Sequence, residues 1–490
     1  MRRKQNFLIL FLCLCVLFAC KDSNKKNKAT SISGEIFNPK NPFIVLLKDN
    51  QTLDTVMLDE KNHFHYQFDE DFEDGLYTFL HDYNTHFETQ MFYLEKGDSL
   101  QLRLNTQEFD QSLMYSGEGA IANNFLMLVF LENIKNGRLL LEYYRISPED
   151  FLTKADSIKS DYVNDLGKLY NRGLVSSGFK KLANEVIDYS YFDMKERYYF
   201  LVNKYRYEIK RELSDDFLDH RQIADFNHQS LQNYYIYQHF LDDYLKNKSV
   251  EKCQESGGED CFNFHSKDNL QMRLAMVDSL FELESLRERF LRNLSGWIIV
   301  NSQTEEEIDE TLQFLEKANF DNQEFEKIKN LARVHKRQFI GNISGLALTS
   351  GKGEKISIAS LISKPTVFYY WSLHFKSHHE KQHQKIRQYQ RRYPEVNFVG
   401  INIDYSEEEE NFDQWQTGVQ NFGYDDLFEF QLVCPSNQRI FYRNYLNKAV
   451  FVDTTGNVLD GNLNLQEQDF EGRLLALLNV NRNKLHQFKP

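Results

Sequence analysis

Three patterns of apolar and polar positions follow one another along the chain. From residue 30 to about 117 they alternate in short runs: Ile32-x-Gly34-x-Ile36, Phe64-x-Tyr66-x-Phe68, Tyr77-x-Phe79 and Leu100-x-Leu102-x-Leu104. The turn-forming stretches NPKNP, DEKN and EKGD separate them. Side chains alternate between the two faces of a strand, so such runs predict a small antiparallel β-sandwich over residues 30–117. His63 and His65 lie two apart on one of these strands, as metal ligands can, but on an aromatic-rich strand they read as ordinary polar-face residues.

From about residue 118 the period changes to that of a helix. Ile308, Leu312 and Leu315 share one helical face, and segments such as NNFLMLVFLENI and YSYFDMKERYYFLVNKYRYEI read as packed helices with solvated tyrosine hydroxyls. Residues 118–337 are therefore expected to form an all-α middle domain. From 338 to 490 the pattern alternates once more. A strand Thr366–Trp371 leads into a helix Ser377–Arg392, and a second strand Val396–Ile403 leads into an acidic helix start at Glu407–Glu410. Ala449–Val452, the turn TTGN and a short strand from Val458 form a hairpin, and a helix over Gln466–Leu478 closes the region. Apolar strands joined by a crossover helix make a βαβ unit. The expected class is multidomain α+β, with an antiparallel sandwich, a helical middle and a C-terminal α/β domain.

Length and composition agree with this layout. A chain of 490 residues has room for roughly three domains, and with 41% apolar residues, 14% aromatics and 7 prolines it can build packed cores. The N-terminal 19 residues read as a targeting element. Arg2, Arg3 and Lys4 precede an apolar core too short to span a bilayer comfortably, and Leu17-Phe18-Ala19-Cys20 resembles a bacterial lipobox. That resemblance implies cleavage before Cys20, a diacylglycerol on its sulfur and a solvated tether over residues 20–29. The formal charge of −14 becomes more negative once those basic residues are removed. This argues against nucleic acid or a broad anionic surface as partner.

Beyond the targeting segment four cysteines remain, Cys20, Cys253, Cys261 and Cys434. Cys253 and Cys261 bracket QESGGED, whose glycines could let the sulfurs meet, and an exported protein permits a disulfide there. Two unpaired cysteines in a surface excursion is the other reading. Cys434 reads as a buried, inert thiol. Ser-His-Asp order, a P-loop, a nucleotide-binding glycine pattern and H-E-x-x-H are all missing. No catalytic residue and no cofactor is therefore nominated.

KPTVFYYW, NFVGINID and VFVDTTGNV, in that order, resemble the thioredoxin fold of membrane-anchored, TlpA-like thiol–disulfide oxidoreductases. Such proteins carry Cys-x-x-C at a helix N-terminus, where the dipole stabilises a thiolate. In this sequence Phe375, Lys376, Ser377 and His378 fill those four positions. The cis-proline that faces the motif in the family corresponds to a stretch around Asn447 and Lys448, which contains no proline. The resemblance thus implies a thioredoxin-like domain without dithiol chemistry, acting as a protein-binding or scaffolding component. It also implies a Gram-negative cell envelope, with anchorage in the outer membrane on its periplasmic face or at the cell surface. Two alternatives stand beside it. One is a thiol–disulfide oxidoreductase working through Cys253 and Cys261. The other is a periplasmic metal-binding protein using His374, His378, His379 and His383, since imidazoles four apart on a helix can clamp zinc or copper.

Overall fold

The computed structural model describes residues 28–49, 51–81, 88–404, 409–433, 445–467 and 469–487. The N-terminal stretch read as a targeting element, Cys20 and Cys434 lie outside them, as do Glu407 and Glu408. The chain parts into two compact units, Met1–Lys248 and Ser249–Pro490. Helices expected as one domain over 118–337 fall in both units.

The first unit begins with eight strands: β1 Ser31–Phe37, β2 Phe43–Lys48, β3 Gln51–Met57, β4 His63–Gln67, β5 Gly75–His81, β6 Glu88–Leu94, β7 Ser99–Asn105 and β8 Met114–Gly117. They form two four-stranded sheets, ordered β4-β1-β7-β8 and β3-β2-β5-β6. Ile32, Ile44, Phe79, Phe92 and Leu100 from both sheets share one core, which makes the pair a sandwich. Leu100, Leu102 and Leu104 point inward while Ser99, Gln101 and Arg103 point out, as a strand's period of two requires. Likewise His63 and His65 face solvent on either side of buried Phe64. One expectation is corrected here, because the sandwich is not wholly antiparallel. β1 pairs parallel with β7 from Ser31↔Ser99 to Phe37↔Asn105. The intervening chain passes through the other sheet, and that long connection lets the two strands meet in the same direction.

Four long helices complete this unit: α1 Ala120–Tyr143, α2 Pro148–Asn171, α3 Ser177–Tyr205 and α4 Tyr235–Glu255, the last running into the second unit. Asn123 of α1 covers the open edge of β6, accepting from the Tyr93 amide at 2.7 Å and donating to its carbonyl at 2.8 Å. Of the tyrosines in the 189–209 segment, Tyr205 and Tyr207 are exposed as expected, but others are not solvated. Tyr198 donates to the Ile146 carbonyl and Tyr189 to that of Asp225, each at 2.9 Å, because burial of the rings leaves water no access.

The second unit opens with helices α5 Lys267–Leu280, α6 Glu284–Asn301, α7 Glu305–Lys317 and α8 Asn322–His335. Sequence rules account for the starts of α7 and α8. Thr304 caps the Glu307 amide ahead of three glutamates, and Asp321 caps Gln323 and Glu324. A seven-stranded sheet follows, built from β9 Ala347–Thr349, β10 Lys355–Ser357, β11 Thr366–Trp371, β12 Asn397–Asn402, β13 Glu429–Leu432, β14 Ala449–Val452 and β15 Val458–Leu463. Its order is β10-β9-β13-β12-β11-β14-β15. Helix α9 Lys376–Arg392 connects β11 to parallel β12, and α10 Glu409–Asn421 connects β12 to parallel β13. Helix α11 Phe470–Gln487 closes the chain. β14 runs antiparallel to β11, and β15 antiparallel to β14. The order β12-β11-β14-β15 with β14 alone reversed is the arrangement of the thioredoxin fold.

All six residues of β11 are buried. Val367, Tyr369 and Trp371 share a core with Ile386 of α9, Trp415 of α10 and Phe470 of α11. Tyr370 faces the other way, toward Phe339 and Tyr445. On that side His335, ending α8, stands between two partners: Nε2 lies 2.9 Å from the Ser302 carbonyl and Nδ1 2.9 Å from the Tyr445 hydroxyl. The neutral ring fits both, with Nε2–H donating and Nδ1 accepting. Burial, reinforced by nearby Lys448, holds its pKa down at about 4.

This depression sets an expected pH response. Between pH 4 and the ordinary value of 6.5 the unfolded chain binds a proton that folded His335 refuses. Stability should therefore fall as pH drops through that window, by up to about 3 kcal/mol from this group. Urea unfolding at both ends of the window, repeated on His335→Gln, measures it. A pH dependence unchanged in the variant would remove His335 as its source.

Candidate functional site

The loop after β11 carries the site singled out in the sequence. Asp404, just beyond β12, pins that loop, accepting from the Ser372 hydroxyl and the Leu373 amide at 2.6 Å each. Asn402 holds Asp404 in turn at 3.0 Å. The Asn402-x-Asp404 pair thus fixes where α9 begins. Phe375 occupies the N-cap without a side-chain cap bond, and its carbonyl accepts from the amides of His378 and His379. Phe375, Lys376, Ser377, His378, Lys381 and Gln466 line an open groove of about 550 Å³ above this helix start.

The two stretches expected to face each other do so. His378 Nε2 lies 2.8 Å from Asn447 Oδ1. The half-buried His378 ring is shifted toward its neutral form by desolvation. No peptide bond among the described residues is cis. Lys448, next in the chain, turns away from the groove. Its Nζ donates to the Val300 carbonyl and, at 3.2 Å, to Asn301 Oδ1 at the end of α6. A lysine favours the negative end of a helix. Burial nevertheless pulls its pKa down to about 7.

Beneath the groove lies a buried polar cluster that the sequence did not reveal. Glu429 of β13 is 3% exposed and accepts from the Tyr369 hydroxyl at 2.6 Å and Trp371 Nε1–H at 2.7 Å. His383 Nε2 approaches the same carboxylate at 3.1 Å, and its Nδ1 donates to the His379 carbonyl at 2.7 Å. The His383 ring stacks on Tyr424, centroids 3.5 Å apart. His379 is fully buried, with Nδ1 2.6 Å from the Tyr424 hydroxyl. Burial, and then the neighbouring His383, hold its pKa near 4. Gly400 of β12 makes room for the carboxylate, since a Cβ there would sit 2.1 Å from Glu429 Oε2. A glycine inside a strand often marks such a close approach, and it was the one available signal for this cluster.

No protein-family model and no curated relative matches the chain. Solved structures similar to part of it include a thiol-disulfide oxidoreductase from Bacteroides fragilis, at 15% identity over 28% of this chain and 98% of that one, TM-score 0.22. Another is the thioredoxin domain of a thiol-disulfide oxidoreductase from Bacteroides vulgatus, at 13% identity over 28% and 94%, TM-score 0.21. A third is a SCO1/SenC family lipoprotein from Bacillus anthracis, at 14% over 29% and 97%, TM-score 0.23. Likenesses at these scores carry no weight for function. The thioredoxin-like assignment rests on the strand order and directions given above.

The four histidines are not gathered as a ligand set, which corrects that expectation. His374 precedes the helix and is exposed, its Nε2 3.9 Å from Asp404 Oδ1. His378 turns to Asn447, His379 to Tyr424 and His383 to Glu429. Spacing alone placed them together, but each ring is already directed to a partner from a different strand or loop. The described residues with ligand-like geometry are Asp193, His239 and Asp243 in the first unit. There the Arg197 guanidinium lies 2.8 Å from Asp193 and 2.9 Å from His239 Nδ1, so a protein cation already serves this group.

Cys253 and Cys261 are joined as a disulfide. Cys253 lies in the last turn of α4, where the helix dipole disfavours a thiolate. That is the opposite end of a helix from the one on which thiol exchange depends.

Proposed function

We propose that this chain is a lipid-anchored cell-envelope protein whose thioredoxin-like region has exchanged dithiol chemistry for protein binding. The carrying observation is the His378–Asn447 contact at 2.8 Å, which bridges the two places where thiols and a cis-proline would face each other. Neither partner of that contact can enter a disulfide. The groove beside it combines an aromatic ring, Phe375, with Lys376, Lys381 and the unpaired amide nitrogen of Gln466. Such a mixed surface suits a protein segment with acidic and apolar residues. A photo-crosslinking residue at exposed Ser377 should give a discrete adduct in intact envelopes that the same residue at exposed Ile223 does not give. Identical adduct patterns from both positions would reject the groove as a docking site.

Anchorage is proposed from the basic n-region and the Leu17-Phe18-Ala19-Cys20 sequence. No helix among the described residues is long and apolar enough to cross a membrane. Cys20→Ser should therefore move the protein from the membrane to the soluble fraction on cell fractionation. Retention of that variant without its acyl groups would mean that something else holds it.

The Cys253–Cys261 disulfide supports a second reading, thiol exchange through that pair. It requires turnover that disappears in Cys253→Ser.

A further inference from the structure

A second cavity, of about 640 Å³, lies in the Ser249–Pro490 unit, with Asn447 and Lys448 among its lining residues. Its size is within the roughly 300–1,000 Å³ typical of small-molecule sites. One wall comes from α6 and its surroundings and carries Trp297. The other comes from β15 and the residues flanking the β14–β15 hairpin, with Asn447, Asn462 and Asn464.

The charges around it are answered by the protein itself. Arg473 pairs with Asp460 at 2.5 Å and Lys267 with Glu310 at 3.0 Å, while Lys448 donates to Val300 and Asn301. No cation of this set is left over for a phosphate or carboxylate, which favour charge-assisted bonds. The amides, by contrast, keep spare capacity. Among the described residues the Asn462 side chain has no partner, and Asn447 uses only its oxygen. A side-chain amide both donates and accepts, as a sugar hydroxyl does. Trp297 is 49% exposed, although Trp371 and Trp415 are fully buried. The half-exposed indole, with the His265 ring 4.8 Å to one side, and the asparagines that line the same cavity offer an apolar surface together with polar groups.

We propose that this cavity binds a small neutral saccharide, with Trp297 against the C–H face of a sugar ring and the asparagine amides on its hydroxyls. The proposal stands independently of the docking reading of the groove.

The test uses the full chain and a panel of cellobiose, maltose, lactose and N,N′-diacetylchitobiose. Each is titrated to about 10 mM, which would fill most of a site of roughly 1 mM affinity. Because the other two tryptophans are buried, a change in emission reports chiefly on Trp297. At least one sugar should give a saturable change. Isothermal titration with that sugar should show binding weakened about tenfold or more in Trp297→Ala and in Asn462→Ala. Trp297 is half-exposed and the Asn462 side chain is unpartnered, so both variants should keep the parent's urea midpoint. No saturable response to any of the four overturns the proposal, as does affinity that survives in either variant.

Discussion

Replacing Glu429 with alanine is expected to lower the stability of the second unit by about 3–5 kcal/mol, the usual range when one partner of a buried charged network is removed. The carboxylate is 3% exposed and receives Tyr369, Trp371 and His383. Alanine would leave three buried donors with no acceptor and no path to water, besides opening a cavity. Glu429→Gln keeps the shape and one acceptor oxygen but turns an amide toward donors, so a smaller loss of about 1–3 kcal/mol is expected. Urea unfolding followed by tryptophan emission measures both, because buried Trp371 reports directly on the cluster. A loss below about 1 kcal/mol for the alanine variant would show that Glu429 does not organise this core.

Gly400→Ala should be comparably damaging, for the opposite reason. Gly400 and Glu429 are register partners on parallel β12 and β13. The new methyl would lie 2.1 Å from Oε2 and 2.6 Å from the carboxyl carbon. Because three donors hold that carboxylate, the side chain cannot swing aside without breaking the network. Overpacking costs about 1–3 kcal/mol by itself, and loss of the bonds to Glu429 brings the expected total to about 3 kcal/mol or more. The two changes should also couple. With Glu429→Ala already present, the methyl has space to occupy, and Gly400→Ala should cost less than it does alone. Additive effects in this double-mutant cycle would contradict the close approach.

Some elements were plain in the sequence. Thr366–Trp371 and Ala449–Val452 are continuous apolar runs, and buried strands of an α/β sheet read that way. β13 went unrecognised because Glu429 and Gln431 break its apolar pattern, although all four of its residues are buried. Polar residues reach such positions only when partners satisfy them. Here the partners lie far away in the chain, His383 being 46 residues before Glu429. The parallel pairing of β1 with β7 was hidden for the same reason, since local periodicity fixes which face a residue takes but not which strand it meets. The four histidines show the limit most clearly. Helical spacing placed the backbones of His378, His379 and His383 correctly, while their rings followed Asn447, Tyr424 and Glu429 from elsewhere, and His374 stands before the helix. Only the correspondence between Phe375–His378 and Asn447 was readable in advance, because it came from the order of motifs along the chain.

The central claim, that this thioredoxin-like region performs no dithiol chemistry, is tested most directly by insulin reduction with dithiothreitol as the electron source. The unmodified protein should add nothing to the uncatalysed rate. Phe375→Cys/His378→Cys, with two thiols one turn apart at the start of α9, should form a disulfide by thiol titration but still turn over poorly opposite Asn447. Turnover by the unmodified protein that persists in Cys253→Ser would contradict the account, whereas turnover that vanishes in that variant would favour thiol exchange through Cys253 and Cys261.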